Sequence, residues 1–336
     1  MGIELSVIWF VIIVFATLMY IVMDGFDLGI GLLFSTVRGG GDRDVMVNSV
    51  APVWDGNETW LVLGGAGLFG AFPLAYAVII DALSIPLTLM LIGLIFRGVA
   101  FEFRFQATPS HRPFWDRAFF SGSLLATFSQ GVVVGAVING FTVSGRAFSG
   151  GMFDWLTPFS LFCGFGLCVA YALLGATWLV MKSEGALQQR MRSASRQLLG
   201  ALLAVFAVIS LLTPLAHTAI AARWFSLPNL YFLLPVPLLV ILVSGWLWRT
   251  LHQRDRHVSP FTLTLGLVFL GFSGLGISIW PHIIPPAITL WQAAAPPQSQ
   301  GFMLVGALLI IPVILGYTCW SYYVFRGKVQ PGEGYH

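Results

Sequence analysis

Charge is what this chain has least of. Only 9% of its 336 residues are Asp, Glu, Lys or Arg, where soluble domains carry about 25%. Hydrophobic residues make up 57%, so a soluble fold would expose large apolar patches. The net charge of +3 is small and no long basic run occurs. That excludes a disordered chain and a nucleic-acid partner. The three cysteines, Cys163, Cys168 and Cys319, all lie in apolar stretches, and they suggest packing residues rather than a disulfide framework or a metal site. Histidine is absent from mid-span positions. His111, His252 and His257 fall in basic connections, His336 at the terminus, and His217 and His282 at span ends. No C-x-x-C-H haem attachment occurs. His217 and His282 are read as interfacial polar residues, with a haem between them as the weaker alternative.

What is present is long apolar sequence. Stretches of about 20 residues suffice to cross a hydrocarbon core of about 30 Å as helices. Nine are predicted, at 5–34, 49–72, 75–102, 118–140, 157–181, 197–219, 229–249, 260–282 and 301–325. A barrel would need short alternating segments instead. The first stretch lacks a basic n-region and runs too long for a signal h-region, so it reads as a retained span. Connections after spans 1, 3, 5 and 7, with the C-terminus, hold fourteen Lys or Arg; the opposite side holds two, Arg146 and Arg223. That asymmetry predicts an outside N-terminus and a cytoplasmic C-terminus. The expected fold is an all-α integral membrane protein forming a single membrane domain over 1–336.

The few ionisable residues inside the spans concentrate in the first three. Span 1 carries Asp24 and Asp27, span 2 carries Trp54, Asp55, Asn57 and Glu58, and span 3 carries Arg97 and Glu102. Each ionised residue at the centre of a lone helix costs about 2.5–3.5 kcal/mol. These acids are therefore expected to point into the bundle, to pair, or to be protonated. Asp24 and Asp27 are three residues apart, as are Asp55 and Glu58, so each pair shares a helix face. Arg97 lies at a similar depth and is expected to hold Asp27 or Asp55. Four carboxylates against one arginine leave three without a counter-charge, and burial disfavours their ionised form. A ladder of such groups can pass protons inward from the cytoplasm; Trp54, Asn57, Arg97 and Glu102 are read as its supporting network. The plainer reading is an ion-pair network that fixes helix register. Gly25, Gly29 and Gly31 in span 1, and Gly64, Gly65 and Gly67 in span 2, are expected to allow close helix contact. Pro52 is expected to kink span 2.

The segments DGFDLGIG (24–31) and NSVAPVWDGNETWLV (48–62) resemble subunit II of the cytochrome bd family of quinol oxidases. FRGVAFEFR (96–104), PHIIPPAITLWQAAA (281–295) and the aromatic last span (301–325) extend the likeness. The resemblance implies two four-helix bundles plus one extra helix. Here they would be about 1–140 with the acidic cluster, about 157–282, and a final helix at about 301–325. It implies a haem-bearing subunit I as partner, carrying two b-type haems and a d-type haem. The complex would sit in the bacterial cytoplasmic membrane, oxidise quinol at the outer face and reduce O2 to water with cytoplasmic protons. Subunit II itself would bind no haem and no metal; some members hold a structural quinone or lipid in it, and a small third subunit is compatible with the pattern. Asp27, Trp54, Asp55 and Arg97 occupy positions matching the family's proton path. Glu58 stands where some relatives carry Gln, so its proton role rests on this sequence alone. The short connection between spans 6 and 7 hints at the cyanide-insensitive branch. Two other classes remain: a proton-coupled secondary transporter, disfavoured by charges confined to one end of the chain, and a passive scaffold subunit.

Overall fold

The computed structural model describes residues 4–216, 218–330 and 332. His217 and His336 lie outside the described residues. In chain order come α1 (Leu5–Leu33), α2 (Gly40–Asn48), α3 (Trp54–Ala71), α4 (Pro73–Gln106) and α5 (Arg112–Asn139). A hairpin follows, β1 (Val143–Ser144) with β2 (Ala147–Phe148), then α6 (Pro158–Lys182), α7 (Gly185–Ala216), α8 (Thr218–Phe225) and α9 (Asn229–Leu233). Next are α10 (Pro235–His252), α11 (Ser259–Ile279), a second hairpin of β3 (His282–Ile284) and β4 (Ile288–Thr289), α12 (Leu290–Ala293) and α13 (Pro297–Val324). Val143 pairs with Phe148, and His282 with Thr289, both antiparallel.

Among the described residues eight helical segments are long and apolar enough to cross a membrane, namely α1, α4, α5, α6, α7, α10 with its lead-in α9, α11 and α13. The stretch expected as span 2 is shorter and more polar. Residues 49–53 form turns, and α3 begins only at Trp54, running 18 residues. Pro52 lies within those turns, so it precedes the helix instead of kinking it. The connection expected as a loop before it contains α2, and Arg104, expected in a connection, lies inside α4. Within α4 the backbone leaves helical geometry at Leu83 (φ −118°, ψ 19°). Pro86 explains this, because it has no N–H to give the Ala82 carbonyl and its ring crowds that turn.

α1 packs against α3, α5 and α6, while α4 lies on α5 and α10 on α11. α6 is the most enclosed helix, touching α1, α5, α7 and α11, with every residue from Tyr171 to Val180 buried. A helix apolar on all sides suits such a position. The α1–α6 crossing depends on two glycines. A Cβ on Gly29 would collide with the Tyr171 carbonyl, and one on Gly175 would meet Gly29 backbone carbon at 2.5 Å. Gly65, by contrast, has nothing within 4 Å, so close contact holds for span 1 and not for all of span 2. Beside that crossing Phe26 stacks on Trp178, centroids 4.2 Å apart.

Several basic residues counted for orientation are ordered side chains. Arg104 bonds Asp116 through Nε and Asp44 through Nη1, both at 2.7 Å, and Arg43 bonds the other oxygen of Asp116 at 2.7 Å. These pairs tie α2 to α4 and α5. Arg192 gathers the α10–α11 connection by donating to the carbonyls of Gln253 (2.9 Å) and Arg256 (2.6 Å) and to His257 Nδ1 (3.1 Å). Arginine only donates, so His257 Nδ1 must accept and the imidazole must be neutral.

Two outcomes are expected. Gly29→Val should destabilise the detergent-solubilised protein by about 1–3 kcal/mol through overpacking, while Gly200→Ala, at an open helical position, should be neutral or better; thermal unfolding midpoints separate them. Partial burial, with Lys328 and Arg192 beside it, holds the His257 imidazole below its ordinary range. Its folded value being depressed, its contribution is present above about pH 6.5 and is lost as pH falls towards the folded value. Protection factors for amide exchange across 250–257, taken relative to the intrinsic rate at each pH, should therefore fall on acidification, and His257→Gln should remove that fall.

Candidate functional site

The site is built where α1, α3 and α4 meet. Arg97 on α4 is fully buried. Its Nη2 bonds Asp24 Oδ1 on α1 at 2.5 Å and Glu58 Oε1 on α3 at 2.6 Å. The guanidinium also lies 5.5 Å from the Trp54 ring centroid and 5.8 Å from that of Phe101. Those two rings are stacked, 5.2 Å apart and 12° from parallel. Aromatic faces attract a cation most when water is excluded. Arg97 was expected to hold Asp27 or Asp55; it holds Asp24 and Glu58 instead. The reason is helix rotation: Asp24 and Glu58 are turned to Arg97, while Asp27 is turned to Asn57.

Asp27, also fully buried, is served by a separate arm. Asn57 Nδ2 donates to Asp27 Oδ2 at 2.7 Å and to the Met23 carbonyl at 3.2 Å. The Asn57 carbonyl oxygen accepts from the Tyr322 hydroxyl of α13 at 2.9 Å. A third arm leaves from Tyr20, one helical turn before Asp24 and with its hydroxyl beside that carboxylate. Gln130 Nε2 donates to Tyr20 Oη at 2.7 Å, and Tyr171 Oη donates to Gln130 Oε1 at 3.1 Å. Six helices thus share one polar network. Asp27 Oδ1 and Arg97 Nε and Nη1 are buried with no hydrogen-bond partner among the described residues, each an unmet demand of about 1–3 kcal/mol.

Two expected members stand apart. Asp55 and Glu102 are exposed on this chain and do not turn into the bundle. Asp55 lies on the Glu58 side of α3 and acts on it electrostatically. Glu58 is between the extremes, its side chain 28% exposed. Ordered by burial, Asp24 and Asp27 are interior, Glu58 is at the edge, and Asp55 and Glu102 are on the surface. Tyr20, Gln130, Tyr171 and Tyr322 were missed. Gln130 had a signal: it is a lone amide in the apolar fourth span, where polar groups need partners. The tyrosines had none, because their rings suit an apolar span and only their neighbours reveal the hydroxyls.

Asp24 and Glu58 on one guanidinium, with Asp27 held only by the neutral Asn57, leave two negative charges without an opposite charge, which protons can supply. Among the described residues no three His, Cys, Asp or Glu side chains cluster to hold a metal ion. The described histidines do not fit a haem axial ligand within the bundle. His111 bonds Thr108, His252 bonds the Trp248 carbonyl, His257 accepts from Arg192, and His282 lies in a hairpin.

Fold and site define a multi-pass helical membrane protein with ionisable groups held inside its bundle. The family model for cytochrome bd terminal oxidase subunit II matches residues 5–325, and the chain belongs to that family. It is 27% identical over 345 residues to cytochrome bd ubiquinol oxidase subunit 2 of Bacillus subtilis (strain 168), covering 97% of both chains. It is 28% identical over 371 residues to cytochrome bd-I ubiquinol oxidase subunit 2 of Escherichia coli (strain K12), covering 97% of this chain and 95% of that one. The bd oxidase structure from Geobacillus thermodenitrificans superposes with a TM-score of 0.74 at 19% identity, covering 96% of this chain and 99% of its counterpart. The resemblance read from the acidic motifs therefore holds, and these relatives are subunits of an oxidoreductase complex.

Replacing Arg97 with Leu would strand Asp24 and Glu58. A loss of about 3–5 kcal/mol is expected, as for other broken buried pairs. Arg97→Leu combined with Asp24→Asn should recover part of it, so that the two changes are not additive. Thermal unfolding of the purified variants checks both.

Proposed function

We propose that this chain is the haem-free subunit of a bd-type quinol oxidase, carrying a proton inlet and bracing the haem-bearing subunit I. The carrying observation is the gradient of acids around Arg97, running from exposed Asp55 through half-exposed Glu58 to buried Asp24 and Asp27. Reduction of oxygen to water consumes protons, and a membrane-embedded oxygen site needs a path for them. Carboxylates in excess of their counter-charges are exchangeable carriers, while Arg97 keeps the array from becoming wholly neutral. Asp55 receives, Glu58 relays to the Asp24–Arg97 pair, and Trp54, Asn57 and Glu102 support them. Electron transfer belongs to the two b-type haems and the d-type haem expected in subunit I. A structural quinone or lipid on this subunit and a small third subunit are compatible with the reading.

In this reading α3 completes a nine-span protein of the bacterial cytoplasmic membrane, with the N-terminus outside and the C-terminus in the cytoplasm. The two bundles at about 1–140 and 157–282, and the final helix, follow the family pattern. Subunit I covers the face of α3 and α4 that shows Val62, Phe69, Ile95, Phe96 and Phe103 to the outside. Asp55 and Glu102 lie among these, and bare lipid against an ionised carboxylate would cost about 2.5–3.5 kcal/mol.

Asp55→Asn and Glu58→Gln should each lower quinol-driven oxygen uptake by about tenfold or more, with the haem spectrum of the co-purified complex unchanged. Full turnover with haems bound would make the acids a scaffold. A colourless preparation of this chain alone that moves protons in liposomes would favour a transporter.

A further inference from the structure

Away from the Arg97 network, a pocket of about 240 Å³ opens between the end of α6, the α2–α3 link and the segment after α13. Lys182, Arg326 and Lys328 line it, together with Ser49, Val53 and Trp178. Lys182 is only 7% exposed. Its ammonium donates to the Phe325 carbonyl at 2.6 Å and lies 5.1 Å from the Trp178 ring centroid. The Lys182 carbonyl accepts in turn from Val329 N–H at 2.8 Å. Among the described residues no carboxylate comes within 4.0 Å of Lys182 or Arg326; Lys328 alone has one, Glu184 at 3.1 Å. The Arg326 guanidinium rests on the Tyr323 ring, 4.0 Å from its centroid.

Three cations therefore surround one pocket with one acid among them. A buried ammonium met by a single neutral carbonyl remains under-compensated. The pocket sits at helix ends on the basic side of the bundle, with Val53, Val324 and Val329 in its wall. Basic pockets between membrane helices at that level suit phosphate headgroups.

We propose that this pocket binds a phosphate-bearing anion, with Lys182 as its buried contact and Arg326 and Lys328 at the rim. Phosphate would complete the local charge and clamp the segment after α13 onto α6. The phosphodiester of an anionic phospholipid and free inorganic phosphate offer the same chemistry, and the test tells them apart.

The intact chain, purified with its partner subunit and stripped of lipid, would be titrated with phosphatidylglycerol, with phosphatidylcholine and with inorganic phosphate. Native mass spectrometry counts bound lipid, and phosphorus NMR line width reports bound phosphate. One saturable site is expected, weakened about tenfold or more by Lys182→Gln and by Arg326→Gln with Lys328→Gln, and retained in Lys182→Arg. Saturation by phosphatidylglycerol alone assigns a lipid; saturation by inorganic phosphate assigns the free anion. The rim pair decides the matter should Lys182→Gln fail to assemble. Absence of a saturable site in the unaltered protein, or equal binding of phosphatidylcholine in every variant, would overturn the proposal.

Discussion

A fully buried guanidinium has to be met by opposite charge, and that demand organises this molecule. Arg97 cannot leave the apolar interior without undoing α4, so Asp24 and Glu58 must come to it from two other helices. Their approach fixes the register of α1 and α3 against α4 to within a turn. A slip of either helix by one residue would swing its carboxylate to another face and leave that acid without its counter-charge. The stacked rings of Trp54 and Phe101 then close water out above the pair.

The other features follow from holding that centre in place. The acids need α1 to lie close to its neighbours, which the glycine contact between α1 and α6 permits. Tyr322 reaches Asn57 across the bundle, so the last helix is keyed to the same network although most of its surface is outward. Gln130 does the same for α5 and α6, accepting from one tyrosine and donating to another. Each arm satisfies a polar group that lipid could not. The result is an interior stiff in geometry and unbalanced in charge, a combination suited to holding mobile protons at fixed positions. The same economy governs the basic end, where Arg43 and Arg104 share Asp116 and Arg192 collects carbonyls.

Much of the architecture was legible in the sequence because bilayer thickness converts directly into residue number. The apolar stretches carry the helices to within a few residues in most places, since the transfer cost of polar residues is local and additive along a helix. It failed where helix ends depend on the chain's own turns, as at Ser49–Val53, or where a helix runs beyond the apolar stretch, as in α4. Cost alone marked Asp24, Asp27 and Glu58 as interior or paired, whereas Asp55 and Glu102 are exposed. Which acid met which base was not, because Asp24 and Asp27 differ by a rotation of the helix that spacing leaves undetermined.

The sequence by itself determined that this is a multi-helix membrane chain, that its scarce charges cluster near its start, and that its motifs belong to an oxidase subunit. Those properties reside in composition, run length and local pattern. Only the tertiary structure decided that Arg97 chooses Asp24 and Glu58, that Asn57 and Tyr322 take Asp27, and that Asp55 and Glu102 stay on the surface. It also decided that Lys182 turns into a pocket rather than into water. Such choices depend on helix rotation and on residues hundreds of positions apart, and those are set by packing against neighbours rather than by any segment's own preference.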